Sequence, residues 1–144
     1  MALVTRNHPK LTLEGARAVL AAAQRRAEDI RVPMDVAVVD DGGHLLVFER
    51  MDGARPSSIA ISMVKAQAAA LRRGPTGPPM AGDQVNLPLA LGLAIASPSG
   101  VTPIRGGVPL VVDGQVIGAV GASAGTEDQD VDVARAGAAA IEKA

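Results

Sequence analysis

The sequence predicts an α+β fold, an antiparallel sheet of about five strands with helices packed on it. Three observations point there. Apolar runs flank Asp41-Gly42-Gly43 and again Asp113-Gly114, and connections this short join only antiparallel strands. Segments with apolar residues three and four apart alternate with these hairpins, in the order helix, two strands, helix, loop, two or three strands, helix. A length of 144 residues makes a single domain, 1–144, able to bury a core of its own.

Thr12 is placed to cap a first helix from Leu13 to about Ile30, with Leu13, Ala16, Leu20, Ala23, Ala27 and Ile30 as its apolar stripe and Pro33 blocking continuation. Met34–Asp40 and His44–Arg50 read as strands, and the glycines of the turn between them tolerate positive φ. Pro56 and Ser57 open a second helix to about Arg73, with Ile61, Val64, Ala68 and Leu71 predicted to face inward. Gly74-Pro-Thr-Gly-Pro-Pro79 ends it, and a Gly/Pro-rich loop continues to about Val85, the kind of segment that covers binding sites. Leu87–Leu91 reads as a short helix, followed by a strand toward Ser97. Val108–Val112 and Gln115–Ala122 are the second hairpin, apolar on both faces, so both faces need a cover. Thr126-Glu-Asp-Gln129 is a capping box for the last helix, and Glu127, Asp128, Asp130 and Asp132 suit the positive end of its dipole.

Composition excludes several functions. A formal net charge of −1 leaves no basic surplus for a phosphate backbone, and one Phe with no Tyr or Trp offers bases almost nothing to stack on, so nucleic acid is not an expected partner. The absence of Cys removes disulfides, thiolate metal sites, iron–sulfur clusters and thiol nucleophiles. The N-terminal residues contain no apolar signal region and no stretch reaches membrane-spanning length, so a cytoplasmic protein without membrane contact is expected. Apolar residues make up 48% of the chain and most are small. Such a composition suits a homo-oligomer with surface hidden between copies; it equally suits an alanine-rich protein from a GC-rich genome.

Chemistry-bearing residues gather at the second strand and just beyond. Glu49, Arg50 and Asp52 form a charged cluster at its end, a natural rim for a polar ligand. Strand alternation puts His44, Leu46, Phe48 and Arg50 on one face. Arg50 offers a planar fork for a carboxylate, and Asp52 an orienting group or base; a structural salt bridge is the plain alternative. Lys65, at the edge of the second helix's stripe, either points into a pocket with its pKa lowered or snorkels to water. On this reading Asp52 and Lys65 are the catalytic candidates, and Arg50, His44, Glu49 and Thr76 the ligand-binding ones. Arg50, Asp52 and Lys65 are expected to converge under the Gly74–Val85 loop. The two histidines, His8 and His44, show no metal-binding spacing, so no metal site is expected. Gly106-Gly107 and Gly121–Gly125 match no nucleotide-binding fingerprint and read as tight turns or close packing.

The motif V-x-V-V-D-x-G-G-H-L at Val36–Leu45, then Arg50-Met-Asp-Gly-Ala54 and Lys65-Ala66, resembles the GlcG/HbpS-like family, the haem-degrading domain family also found as the C-terminal domain of PduO-type proteins. Gly106–Leu110, Asp113–Gly121 and Asp128-Gln129-Asp130 extend the likeness over nearly the whole chain. The resemblance implies a profilin-like or roadblock-like fold, a homodimer building block, often higher oligomers such as octamers, and in some members binding of haem, a corrinoid or another small molecule. A haem would find only His8, His44 or one of five Met as axial ligand here, and no aromatic lining, which implies weak binding at the surface or a subunit interface. Three functions follow: a small-molecule-binding oligomer of the haem-binding type; a cofactor-independent lyase, isomerase or hydrolase acting on a small carboxylate; and a structural dimerisation module.

Overall fold

A computed structural model describes residues 1–142. The chain runs α1 (Leu13–Asp29), β1 (Asp35–Asp40), β2 (Leu45–Arg50), α2 (Ser58–Arg72), β3 (Met80–Ala81), β4 (Gln84–Val85), α3 (Leu87–Ala96), β5 (Gly107–Val112), β6 (Gln115–Ser123) and α4 (Glu127–Ala139). The main sheet has four strands in the order β2-β1-β6-β5, each antiparallel to its neighbours. This is one strand fewer than expected. The segment predicted as a strand near Ser97 continues α3 instead, because Asn86 accepts a hydrogen bond from the Leu89 N–H, Pro88 opens the first turn, and strong helix formers follow. The long loop holds a two-stranded hairpin, β3–β4, turning at Gly82 with φ 66°.

Helices cover both faces of the sheet, as its two-faced apolar strands require. Val36 and Val38 of β1 meet Val19 and Ala23 of α1 and Val133 and Ala134 of α4, while Ala37 and Val39 face Ala66, Ala69 and Ala70 of α2. The two layers differ in thickness. A Cβ on Gly121 would clash with the Ser62 carbonyl, and one on Gly107 with the Lys65 carbonyl. The backbone of α2 therefore rests on glycines of the sheet, and only small side chains fit beneath it. This corrects the predicted stripe of α2. Ser58, Ser62, Lys65, Ala66, Ala68, Ala69 and Ala70 are buried, whereas Leu71 is 46% exposed and Ile61 and Val64 only partly covered. Ile61, Val64 and Leu71 point away from the sheet because the close approach leaves them no room against it, and of the large apolar residues of α2 Met63 packs against the sheet-side cluster.

A bulge in β2 corrects a second expectation. Val38 pairs with Val47 but Val39 with Leu45, so Leu46 is the extra residue. Leu46 and Val47 both pack toward α1 and α4, while Phe48 packs toward α2, and simple alternation from His44 to Arg50 fails. Beyond the sheet, α3 stands apart. Only Ala90 of its ten residues is buried, and Leu87, Leu89, Leu91 and Ile95 are exposed. Among the described residues, no helix is long and apolar enough to cross a membrane.

Candidate functional site

Among the described residues, the largest fully buried side chain is Lys65. Its Nζ donates to Asp130 Oδ2 at 2.6 Å and to the Ala122 carbonyl at 3.0 Å. The other oxygen of Asp130 accepts the Gly125 N–H at 2.9 Å. Burial pushes the Asp130 carboxyl above its ordinary value, against the pull of Lys65 and the Gly125 N–H. A Cβ on Gly106 (φ 124°) would lie 2.9 Å from both Lys65 Nζ and Asp130 Cβ, so this glycine makes the space in which an ammonium from α2 reaches a carboxylate on α4. The three aspartates of α4 do more than complement its dipole. Asp128, Asp130 and Asp132 bind Arg105, Lys65 and Arg26 at 2.8, 2.6 and 2.9 Å, tying α4 to three separate parts of the fold.

Next to this pair, the segment after α2 crosses the start of β5. The Thr76 N–H donates to the Gly107 carbonyl at 3.0 Å, and the Gly107 N–H donates to Thr76 Oγ1 at 2.9 Å. Thr76 is held rigidly, with a cavity on each side. One, about 290 Å³, is lined by Arg72, Gly74–Pro79 and Thr102. The other, about 320 Å³, is lined by Pro75, Thr76, Arg105, Gly107–Pro109, Val131 and Arg135. Both place guanidinium groups beside proline and backbone walls, an arrangement suited to anionic groups on a small molecule. Sequence reasoning reached Thr76 but missed Arg72, Thr102, Arg105 and Arg135. Only the crossing of distant segments brings them together, and no spacing motif announces it.

The predicted convergence is not found. Lys65 is sealed and paired, whereas Arg50 and Asp52 are exposed at the edge strand β2. Ala122, whose carbonyl holds Lys65, lies two strands from β2, about 10 Å away at ordinary strand spacing. The two cavities beside Thr76 are lined by none of the three. Lys65 neither snorkels nor faces a pocket, and so has no free role as a proton carrier. Glu49 is exposed on β2. His44 is exposed at the other end of that strand, about 20 Å from Arg50, where His8 Nε2 sits 3.4 Å from Asp41. Lys10 hydrogen bonds hold the Asp41 carboxyl below its ordinary value.

Asp35, the cross-strand partner of Arg50 and Ser123, was not singled out from sequence. It is fully buried, and neither carboxylate oxygen has a hydrogen-bond partner among the described residues. Burial raises its pKa, with Arg50 and Arg55 opposing more weakly. Near the end of β6, Ala124 adopts φ 107°, a conformation costly for any residue but glycine, and its carbonyl accepts Arg55 Nη2 at 2.9 Å.

Comparison with known proteins agrees with this architecture. The family model described as "Haem degrading protein HbpS-like" matches residues 11–139. The chain belongs to the HbpS-like family. It is 42% identical over 113 residues to Protein GlcG of Escherichia coli (strain K12), covering 78% of this chain and 81% of that one. The crystal structure of Klebsiella pneumoniae protein ORFY superposes with a TM-score of 0.83 at 31% identity, over 98% of this chain and 97% of that one. A crystal structure of a PduOC:heme complex superposes with a TM-score of 0.78 at 29% identity, over 92% and 96%. The resemblance read from the Val36–Leu45 block and its companions is therefore borne out.

A haem can be tested against the residues present. Neither cavity beside Thr76 is lined by His, Met, Cys or Tyr. The Thr76 hydroxyl accepts from Gly107, and Thr102 Oγ1 accepts the Ile104 N–H at 3.2 Å. These cavities do not supply an axial ligand for iron.

Proposed function

We infer that the chain binds a small acidic molecule of tetrapyrrole type across the two cavities beside Pro75–Thr76. The observation carrying this reading is the reciprocal Thr76–Gly107 hydrogen-bonded crossing, buried against Lys65–Asp130 and flanked by arginine-lined cavities. The heme found with a fold neighbour supports the ligand class. Because no axial ligand lines the cavities, the macrocycle's acid groups and edges provide the contacts, and its iron does not. Titration with haemin and with iron-free protoporphyrin IX tests this directly. The two are expected to bind alike, without a low-spin haem spectrum, and both to weaken on Thr76→Val. Tight haemin binding that protoporphyrin does not share would contradict the reading.

Self-association is part of the proposal. Residues 80–96 carry exposed Met80, Val85, Leu87, Leu89, Leu91 and Ile95 on an arm that contributes little to the chain's own core. An all-apolar helix in water calls for a partner surface, and a second copy is the one we propose. A cytoplasmic setting is likewise proposed. The enzyme reading gave proton transfer to Asp52 or Lys65; the buried pair with Asp130 engages Lys65 and leaves that reading to the exposed Asp52 alone.

A further inference from the structure

We propose that the cavity between β5 and α4 is a carboxylate-recognition site in which Arg135 binds the acid group of a ligand whose apolar body lies on Val108, Pro109 and Val131. This rests on the ligand seat proposed above and names the chemistry of one half of it. The first support is the pairing of charges along α4. Glu127 accepts the Arg105 N–H at 3.2 Å, and Asp128, Asp130 and Asp132 bind Arg105, Lys65 and Arg26. Every acid of the helix is thereby engaged. Arg135, one turn on, has no carboxylate partner among the described residues, yet it lines a cavity of about 320 Å³. In a chain of net charge −1 this is a local surplus of positive charge at the rim of a half-open cavity, where Arg135 is exposed.

The second support is the lining itself. Lining the same cavity are Val108, Pro109, Val131 and Pro75, apolar surface that gains from covering hydrocarbon and offers a highly hydrated anion nothing. No lysine and no helix N-terminus joins the cavity, and Arg105 Nη1 is already held by Asp128. One planar fork beside an apolar wall suits a carboxylate attached to a hydrophobic body better than inorganic phosphate.

Isotope-labelled protein would be titrated with cyclohexanecarboxylate, cyclohexanecarboxamide and inorganic phosphate, following the amide signals of residues 105–109 and 131–135. The acid is expected to shift these signals saturably, and the amide to bind at least about tenfold more weakly. Arg135→Gln should lose the acid by a similar factor. Arg135→Lys should restore it only in part, since an ammonium lacks the fork. Arg17→Gln, on the exposed side of α1, should bind as the wild type does. The proposal is overturned if the acid gives no shift, if acid and amide bind equally, if Arg135→Gln binds the acid normally, or if phosphate displaces the acid at equal concentration. Should porphyrin fail to bind while the acid still depends on Arg135, the larger ligand is wrong and this site stands. Porphyrin bound without any effect of Arg135 would leave the larger ligand in place and remove Arg135 as its carboxylate clamp.

Discussion

Removing the charge of Lys65 tests how the site is held together. In Lys65→Met a chain of similar length replaces the ammonium, and Asp130 is left with one of its two partners, the Gly125 N–H. The Ala122 carbonyl loses its side-chain donor. Removing one member of a buried ion pair costs about 3–5 kcal/mol, because the other charge stays buried without compensation. Domains of this kind are stable by only about 5–15 kcal/mol, so the loss is a large fraction of the total. It corresponds to a melting temperature lower by roughly 10–15 °C at about 3 °C per kcal/mol. Replacing both partners, Lys65→Met with Asp130→Leu, removes the stranded charge and should recover at least half of that loss. The assay is urea unfolding of the wild type, both single variants and the double variant. Single variants within about 1 kcal/mol of wild type, or a double variant as unstable as the sum of the two, would refute the reasoning.

Other expectations are as concrete. Gly121→Ala forces a methyl group into the Ser62 carbonyl and the Ala66 N–H, and should cost about 3 kcal/mol by chemical unfolding, at the upper end for overpacking. Ala124→Gly relieves the φ of 107° and should stabilise by about 1 kcal/mol in the same assay. The raised pKa of Asp35 means that its burial penalty is absent below the ordinary carboxylate value and grows as pH climbs through the raised one. Asp35→Asn should therefore gain on the wild type between pH 4 and pH 8, and a pH-independent difference would show the carboxylate to be compensated. Leu91→Glu with Ile95→Glu should reduce the mass seen by light scattering while leaving the melting temperature nearly unchanged.

Where local chemistry decides, the fold was legible from sequence. Thr12 and Thr126 cap α1 and α4 as predicted, the latter with its full capping box, and the Asp41–Gly43 and Asp113–Gly114 turns join antiparallel strands. Periodicity misled where a distant residue sets the packing distance. Ile61, Val64 and Leu71 carry the helical period, but Gly107 and Gly121 bring the sheet so close to α2 that its alanines and serines face inward instead. Lys65 is unusual already in the sequence, but its partner Asp130 lies 65 residues away and reads there as an ordinary dipole-matching acid. Arg50 and Asp52 draw attention because charges cluster visibly at a strand end, while Arg72, Arg105 and Arg135 are dispersed in sequence and line two separate cavities that share Pro75 and Thr76. Asp35 sits in a run of apolar residues, and its polar character there was the available signal.

Ligand binding at the crossing of Pro75–Thr76 over β5 is the central claim, and hydrogen–deuterium exchange with and without protoporphyrin IX tests it most directly. New protection is predicted at residues 72–79, 105–109 and 131–135, with β2 unaffected. Protection confined to residues 44–52, around His44, Arg50 and Asp52, would contradict it.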